Sequence, residues 1–360
     1  MMKNNPIADR YPVNATLELT LRCNMKCKMC MFRHSSSENA ALEARELTAA
    51  QWVDMARQLW DAGALNLLIT GGEPMLRKDF LDIYTGIYRM GFLTTLYTNA
   101  TLLTEEILET LRKYPPHRIG ITFYGASNET YRQLCGLKDG FDRALAGAKA
   151  LATLPSALEF RTTLVQDNYR DIEAIETLVE KEFHQSVTHS ATVFQAVRGG
   201  CAPVADCRLT PEEAVELTVK RLSQPLREVL PPERRERLQL RVADPQPELK
   251  KAAKKETPLG CSGGMDNVTV TWDGKLLGCQ MLECFATDAV KLGFAKAWEL
   301  WPSAVELPPV NKECENCSDL RFCQVCPAVR MAECGNLYGR PEYICRMTKT
   351  LLSGKGVGAL

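Results

Sequence analysis

The sequence predicts an α/β protein, a partial (β/α)6 barrel followed by a cysteine-rich domain. Three observations carry this. Short apolar runs of strand length alternate with amphipathic helical segments through residues 16–205. A cysteine-rich loop and a glycine-rich loop follow directly on the first two of those runs. Nine of the fifteen cysteines crowd between Cys261 and Cys345, so the chain divides into two chemically different parts.

The first strand is TLELTL (16–21), where Leu17, Leu19 and Leu21 alternate with polar residues. It runs into a loop holding Cys23, Cys27 and Cys30 in the spacing C-x3-C-x2-C. Thr48, with Gln51 three residues on, forms a capping box for the next helix. ALNLLITGG (64–72) is the second strand and ends in the turn TGGEP (70–74). Thr94–Thr98, Ile119–Tyr124, Glu159–Leu164 and Ser186–Phe194 complete the set, with helices expected at 104–113, 141–153 and 170–182. Strands and helices in this order make a parallel sheet with right-handed crossovers, which six units can curl into an incomplete barrel. Ligands of such barrels sit at the C-terminal strand ends, so the cysteine loop and TGGEP are expected at one mouth.

Composition limits the chemistry. The chain has 360 residues, of which 45% are hydrophobic, enough for one large domain or two ordinary ones with real cores. Lysine and arginine total 44 and so do aspartate and glutamate, which leaves no electrostatic footprint for nucleic acid or an anionic membrane. The opening segment MMKNNPIADRYPVN has no apolar core of the signal-peptide kind, and no later run approaches the roughly 18 apolar residues of a membrane span. A cytoplasmic location follows as the expectation. Thiols stay reduced there, so an odd number of cysteines points to metal rather than a disulfide framework. Only His34, His117, His184 and His189 could add imidazole, so metal sites must be thiolate-rich, which favours zinc or iron–sulfur clusters. Taken alone, the opening loop fits a redox pair with a spare thiol, part of a zinc site, or a cluster cradle.

C-x3-C-x2-C after the first strand and Gly-Gly-Glu-Pro after the second resemble, in this order, the two leading signatures of radical S-adenosylmethionine enzymes. The resemblance covers about residues 15–200. It implies a [4Fe–4S] cluster held by Cys23, Cys27 and Cys30, with one iron left open to chelate S-adenosylmethionine. The reduced cluster of that family cleaves S-adenosylmethionine to a 5′-deoxyadenosyl radical, which takes hydrogen from the substrate. Gly71 and Gly72 would let the backbone approach the cofactor and Pro74 would stiffen the turn, placing Glu73 with them in the cofactor-binding motif. By the same resemblance Thr98 and Asn99 would lie near the ribose, and Arg161 would face the carboxylate. ITFYGASNETY (121–131) is similar to the fourth-strand segment of the peptide-modifying branch. Where the family usually has an aromatic residue before the third cysteine, this chain has Met29, whose thioether can pack on adenine.

From Cys261 onward a second signature appears. VTVTWDGKLLGC (268–279) reads as a β-hairpin with Asp273-Gly274 at its turn, which brings Cys261 and Cys279 together. Cys314, Cys317, Cys323 and Cys326 follow, then Cys345. This resembles the SPASM domain of peptide- and protein-maturing radical enzymes and makes the C-terminal part an iron–sulfur domain. It implies one or two auxiliary [4Fe–4S] clusters, with Cys261, Cys279 and Cys326 on the first and Cys314, Cys317, Cys323 and Cys345 on the second. The family separates the third and fourth cysteines of the central run by three residues and this chain by two. Either Cys284 supplies a fourth ligand to the first cluster or one of its irons is open. The alternative for this region is zinc held by four thiolates.

The expected organisation is an N-terminal segment (1–15), the radical barrel (16–205), a helical connector (206–255), the SPASM region (256–350) and a tail (351–360). Cys201 and Cys207, in the loop after the sixth strand, are candidate hydrogen donors to a substrate radical, while packing is the plainer role for them and for Cys135, Cys284 and Cys334. Thr210, Pro211 and Glu213 cap a connector helix. Trp298 and Trp301 read as core, and Glu18 and Glu73 as polar residues lining the barrel or as acid–base groups. The resemblance implies a peptide substrate, crosslinked or epimerised, with a flavodoxin or ferredoxin as electron donor. Either a leader-peptide-binding protein is a separate chain or the leader binds the enzyme directly. Rival expectations are radical modification of a small metabolite, sulfatase-type side-chain oxidation, or a zinc-binding interaction protein.

Overall fold

The computed structural model describes residues 10–32, 34–195, 198, 206–219, 257–320, 322–323 and 325–353. Cys201 and most of the expected connector lie outside the described residues.

Six parallel strands stand side by side in chain order: β1 (Asn14–Glu18), β2 (Asn66–Thr70), β3 (Leu93–Thr98), β4 (Arg118–Thr122), β5 (Ala157–Thr163) and β6 (Val187–Ser190). Helices Ala49–Asp61 and Phe80–Tyr88 flank β2, and Glu105–Lys113, Gly140–Leu151 and Ile172–Phe183 sit in the later crossovers. This is the partial (β/α)6 barrel that the alternating pattern predicts. The capping box at Thr48 and Gln51 is present, with each partner's side chain bonded to the other's backbone.

The first strand begins earlier and ends sooner than the Leu17–Leu21 alternation suggests. Leu17 and Leu19 are fully buried, but so are Glu18 and Thr20. A barrel strand has no solvent face: its apolar side packs on helices and its polar side lines the interior. The sixth strand is four residues long, ending at Ser190 rather than Phe194.

The sheet continues past the barrel. Strand β7 (Asn267–Val270) lies parallel beside β1, and β8 (Lys275–Leu277) and β9 (Thr287–Asp288) add antiparallel. The turn between β7 and β8 is closed by Gly274 at φ 84°, a left-handed conformation suited to glycine. Trp301 is buried under this hairpin with its ring against Gly264 and Gly278, where an added Cβ would collide with it. Trp298 is buried next to it and the Arg10 guanidinium stacks 3.9 Å from its ring centroid. Both tryptophans are core, as expected. Among the described residues no helix is long and apolar enough to cross a membrane.

Candidate active site

Every strand of the barrel delivers its C-terminal end to one mouth, and a cavity opens there. Cys23, Cys27 and Cys30 line it from the loop after β1, and Thr70, Gly71 and Gly72 from the end of β2. Tyr97, Thr98 and Asn99 contribute from β3, Thr122 and Tyr124 from β4, and Phe32, His34 and Asn39 from the segment beyond the cysteines. Met29, Glu73, Pro74 and Arg161 are not among its lining residues.

The two signature loops are fastened to each other. Gly72 N–H donates to the Thr20 carbonyl at 2.7 Å and Glu73 N–H to the Arg22 carbonyl at 3.0 Å. The approach is close enough that a Cβ at Gly71 would strike Thr20 and one at Gly72 would strike Arg22, both at backbone atoms. Glycine is required here by the chain's own packing. Pro74 opens a short 3-10 turn. The stem is clamped from below: Arg22 Nε reaches Glu46 at 2.8 Å, and Arg77 Nη1 reaches Glu46 at 3.1 Å and the Leu19 carbonyl at 2.9 Å.

Glu73 is fully buried beneath the cavity. Its carboxylate accepts from Thr98 Oγ1 at 2.9 Å, Asn99 N–H at 2.8 Å and Met75 N–H at 3.2 Å. Burial pushes its pKa up to about 7, against the pull of those three donors. The side chain therefore ties the β2 turn to the end of β3. Asn99 continues the tie, its Nδ2 donating to Asn24 Oδ1 at 3.0 Å and lying 3.8 Å from Cys23 Sγ. Ala100 follows at φ 58°, a strained conformation for a residue with a Cβ. Arg161 stacks over Tyr97, 4.3 Å from the ring centroid, and among the described residues its Nε has no hydrogen-bond partner.

The cysteine loop rests on the end of helix Asn128–Cys135. Lys26 N–H donates to the Cys135 carbonyl at 2.8 Å and Lys28 N–H to the Leu134 carbonyl at 3.1 Å, so Cys27 sits directly over that helix end. A hydrogen bond with Cys135, then burial, pushes the Cys27 thiol well up, and burial does the same to Cys23. Cys135 is fully buried, as the packing role expects, yet it touches a motif cysteine. Met29 is buried in the core. Cys207 is also buried there, with its carbonyl bonded to Gln166 N–H at 2.8 Å, and it does not line the cavity. Tyr97, Tyr124 and His34 are lining residues that sequence reasoning missed. Tyr97 precedes the expected Thr98–Asn99 pair on a β-strand, so its side chain could have been placed near the same strand end.

Three thiols on one wall and exposed glycine backbone on another fit a sulfur-ligated cluster with a bound organic cofactor. Residues 17–188 match the family model described as the radical SAM superfamily. These residues form a radical SAM domain. Over 91% of the chain and 94% of the relative, the sequence is 26% identical to an AdoMet-dependent heme synthase of Methanosarcina barkeri. Among solved structures, Streptococcus suis SuiB bound to S-adenosylmethionine superposes with a TM-score of 0.67 at 18% identity, covering 93% of this chain and 77% of SuiB. Native anSMEcpe with bound AdoMet and the Cp18Cys peptide superposes with a TM-score of 0.61 at 15% identity, covering 94% and 95%.

Beyond the radical SAM domain the C-terminal cysteines fall into neighbouring groups. Cys279 feels Cys326 and Cys261, although burial is the main cause that raises its thiol. Cys261 Sγ accepts from Gly263 N–H at 3.4 Å. Cys323 feels Cys345 and Cys314, again beneath a larger effect of burial. Cys317 is exposed, and Cys284 is exposed on the turn Glu283–Phe285. No three histidine, cysteine or acidic side chains among the described residues converge as a single bound ion requires.

Glu18, at the end of β1, is fully buried inside the barrel. Arg198 meets its carboxylate at 2.7 and 2.8 Å, and Gln280 Nε2 donates to it at 2.7 Å. Burial raises the Glu18 pKa and Arg198 opposes the rise. Glu18 is thus ion-paired with Arg198, and the hydrogen bond from Gln280 joins it to the segment just past Cys279.

Proposed function

We propose that this radical SAM enzyme abstracts hydrogen from a peptide substrate and matures it by crosslinking or epimerisation. The observation that carries the radical chemistry is the convergence of Cys23, Cys27 and Cys30 with Gly71, Gly72, Thr98 and Asn99 on one cavity. Cys23, Cys27 and Cys30 would hold three irons of a [4Fe–4S] cluster and leave the fourth open. When bound and reduced, that cluster with S-adenosylmethionine supplies a 5′-deoxyadenosyl radical. The protein's part is positioning. The Gly71–Gly72 backbone shapes one wall, Glu73 fixes Thr98 and Asn99, and the Cys135 helix end supports the cysteine loop.

Of the expected cofactor-binding set, Gly71, Gly72, Thr98 and Asn99 line the cavity and would contact the cofactor, Glu73 and Pro74 would act by holding the turn, and Met29 and Arg161 do not line it. In the C-terminal region, Cys261, Cys279 and Cys326 would hold one auxiliary [4Fe–4S] cluster, with Cys284 as candidate fourth ligand. Cys314, Cys317, Cys323 and Cys345 would hold another. A flavodoxin or ferredoxin would supply electrons from the cytoplasm.

Two supports favour a peptide. The fold likeness extends over more than nine-tenths of the chain, including the cysteine-rich region, and SuiB and anSMEcpe have both been crystallised with peptides. A second reading, radical modification of a small metabolite, is favoured by the near full-length match to a heme synthase. The test is anaerobic purification, analysis for iron, sulfide and zinc, and a reductant-dependent assay for 5′-deoxyadenosine. About twelve irons per chain with 5′-deoxyadenosine formed is the expected result. Zinc with no 5′-deoxyadenosine after iron–sulfur reconstitution would overturn it. Stimulation by iron porphyrins rather than by peptides would select the second reading.

A further inference from the structure

Cys314 and Cys345 each have an arginine beside them. Arg330, on helix Pro327–Cys334, is buried and points Nη1 at Cys314 Sγ over 3.6 Å. The same nitrogen donates to the Gly339 carbonyl at 2.5 Å, which fixes the guanidinium in place. Arg340 stands beside Cys345 and is paired with Glu313 at 2.9 Å and Glu342 at 3.7 Å. Thr348, on helix Glu342–Leu352, lies beside Cys323 with its hydroxyl donating to the Ile344 carbonyl at 3.0 Å.

Among the described residues the hydrogen-bond donors at Cys23, Cys30, Cys261 and Cys279 are neutral ones. Met25 N–H and Phe32 N–H lie 3.4 Å from Cys23 and Cys30, Gly263 N–H lies 3.4 Å from Cys261, and backbone N–H groups of Met281 and Leu282 serve Cys279. The difference has a redox consequence. A thiolate-ligated cluster is anionic and gains a further negative charge on reduction. A guanidinium at the sulfur stabilises the reduced form more than the oxidised one and raises the potential. Arginine keeps its charge at any working pH, and a buried one acts through a poorly screened medium.

We infer that Arg330 and Arg340 are positioning residues that make the Cys314–Cys323–Cys345 group the highest-potential cluster of the protein, the first to accept an electron. This rests on the reading of the C-terminal cysteines as cluster ligands.

The test is a potentiometric titration of the anaerobically purified, iron-replete full-length protein, followed by electron paramagnetic resonance. The wild type is expected to show one cluster reduced ahead of the others, and Cys314→Ala is expected to remove that signal. Arg330→Gln and Arg340→Gln should each move that couple to lower potential and leave the others in place. Arg330→Lys and Arg340→Lys should recover part of the shift. Should the buried Arg330→Gln variant fail to fold, Arg340→Gln, at a partly exposed side chain, carries the test. Unchanged potentials at native iron content would overturn the inference and leave the cluster assignment standing. Iron content unaffected by Cys314→Ala would overturn the cluster assignment and the inference with it.

Discussion

Cys23, Cys27 and Cys30 are legible in sequence because their spacing is itself the chemistry: a cluster corner needs three thiolates on a short loop. Alanine at any one of them is expected to lower iron by about four per chain and abolish 5′-deoxyadenosine release, read by iron analysis and chromatography. Glu73 is a different case. The motif names it, but its role as the acceptor for Thr98, Asn99 and Met75 appears only when β2 and β3 are neighbours. Glu73→Gln turns an amide NH2 toward at least one of those donors. It is expected to cost about 1–3 kcal/mol, measured by denaturant unfolding. Cys135 was equally hidden: its contact with Cys27 joins residues 108 positions apart, and no local pattern marks it.

Among the elements, those whose identity comes from local periodicity and caps were readable, including the Thr48–Gln51 capping box and the Asp273-Gly274 hairpin turn. Element ends were less so. β1 stops at Glu18, and just beyond it the Thr20 and Arg22 carbonyls brace the glycine turn, a pairing made by the partner loop. The hairpin's attachment was also hidden. β7 pairs with β1, and Trp301 fills the space beneath Gly264 and Gly278. Trp301→Ala is expected to destabilise the protein by about 3–5 kcal/mol, by loss of transfer energy and the cavity left behind. Thermal or denaturant unfolding measures this.

At the scale of the whole molecule, the Glu18–Arg198–Gln280 contact links the first strand, the region beyond the sixth strand and the residue after Cys279. A buried pair of this kind is costly to break from one side, because the remaining charge is left without a partner. Glu18→Gln or Arg198→Met alone is expected to cost about 3–5 kcal/mol, and the double replacement Glu18→Met with Arg198→Met less than the sum. A double-mutant cycle in denaturant checks this.

By itself the sequence determined the order of strands and helices, the position of the cysteine and glycine loops at strand ends, and the separation of the two cysteine populations. These depend on residue period and spacing along the chain. Tertiary structure decided what lies opposite each of them. Glu73 meets Asn99, Cys27 meets Cys135 and Arg198 meets Glu18 because closure of a parallel barrel brings distant strand ends to one mouth, and Arg330 meets Cys314 by packing of two short helices in the C-terminal region. Such pairings are set by packing across the fold, for which a linear pattern carries no signal.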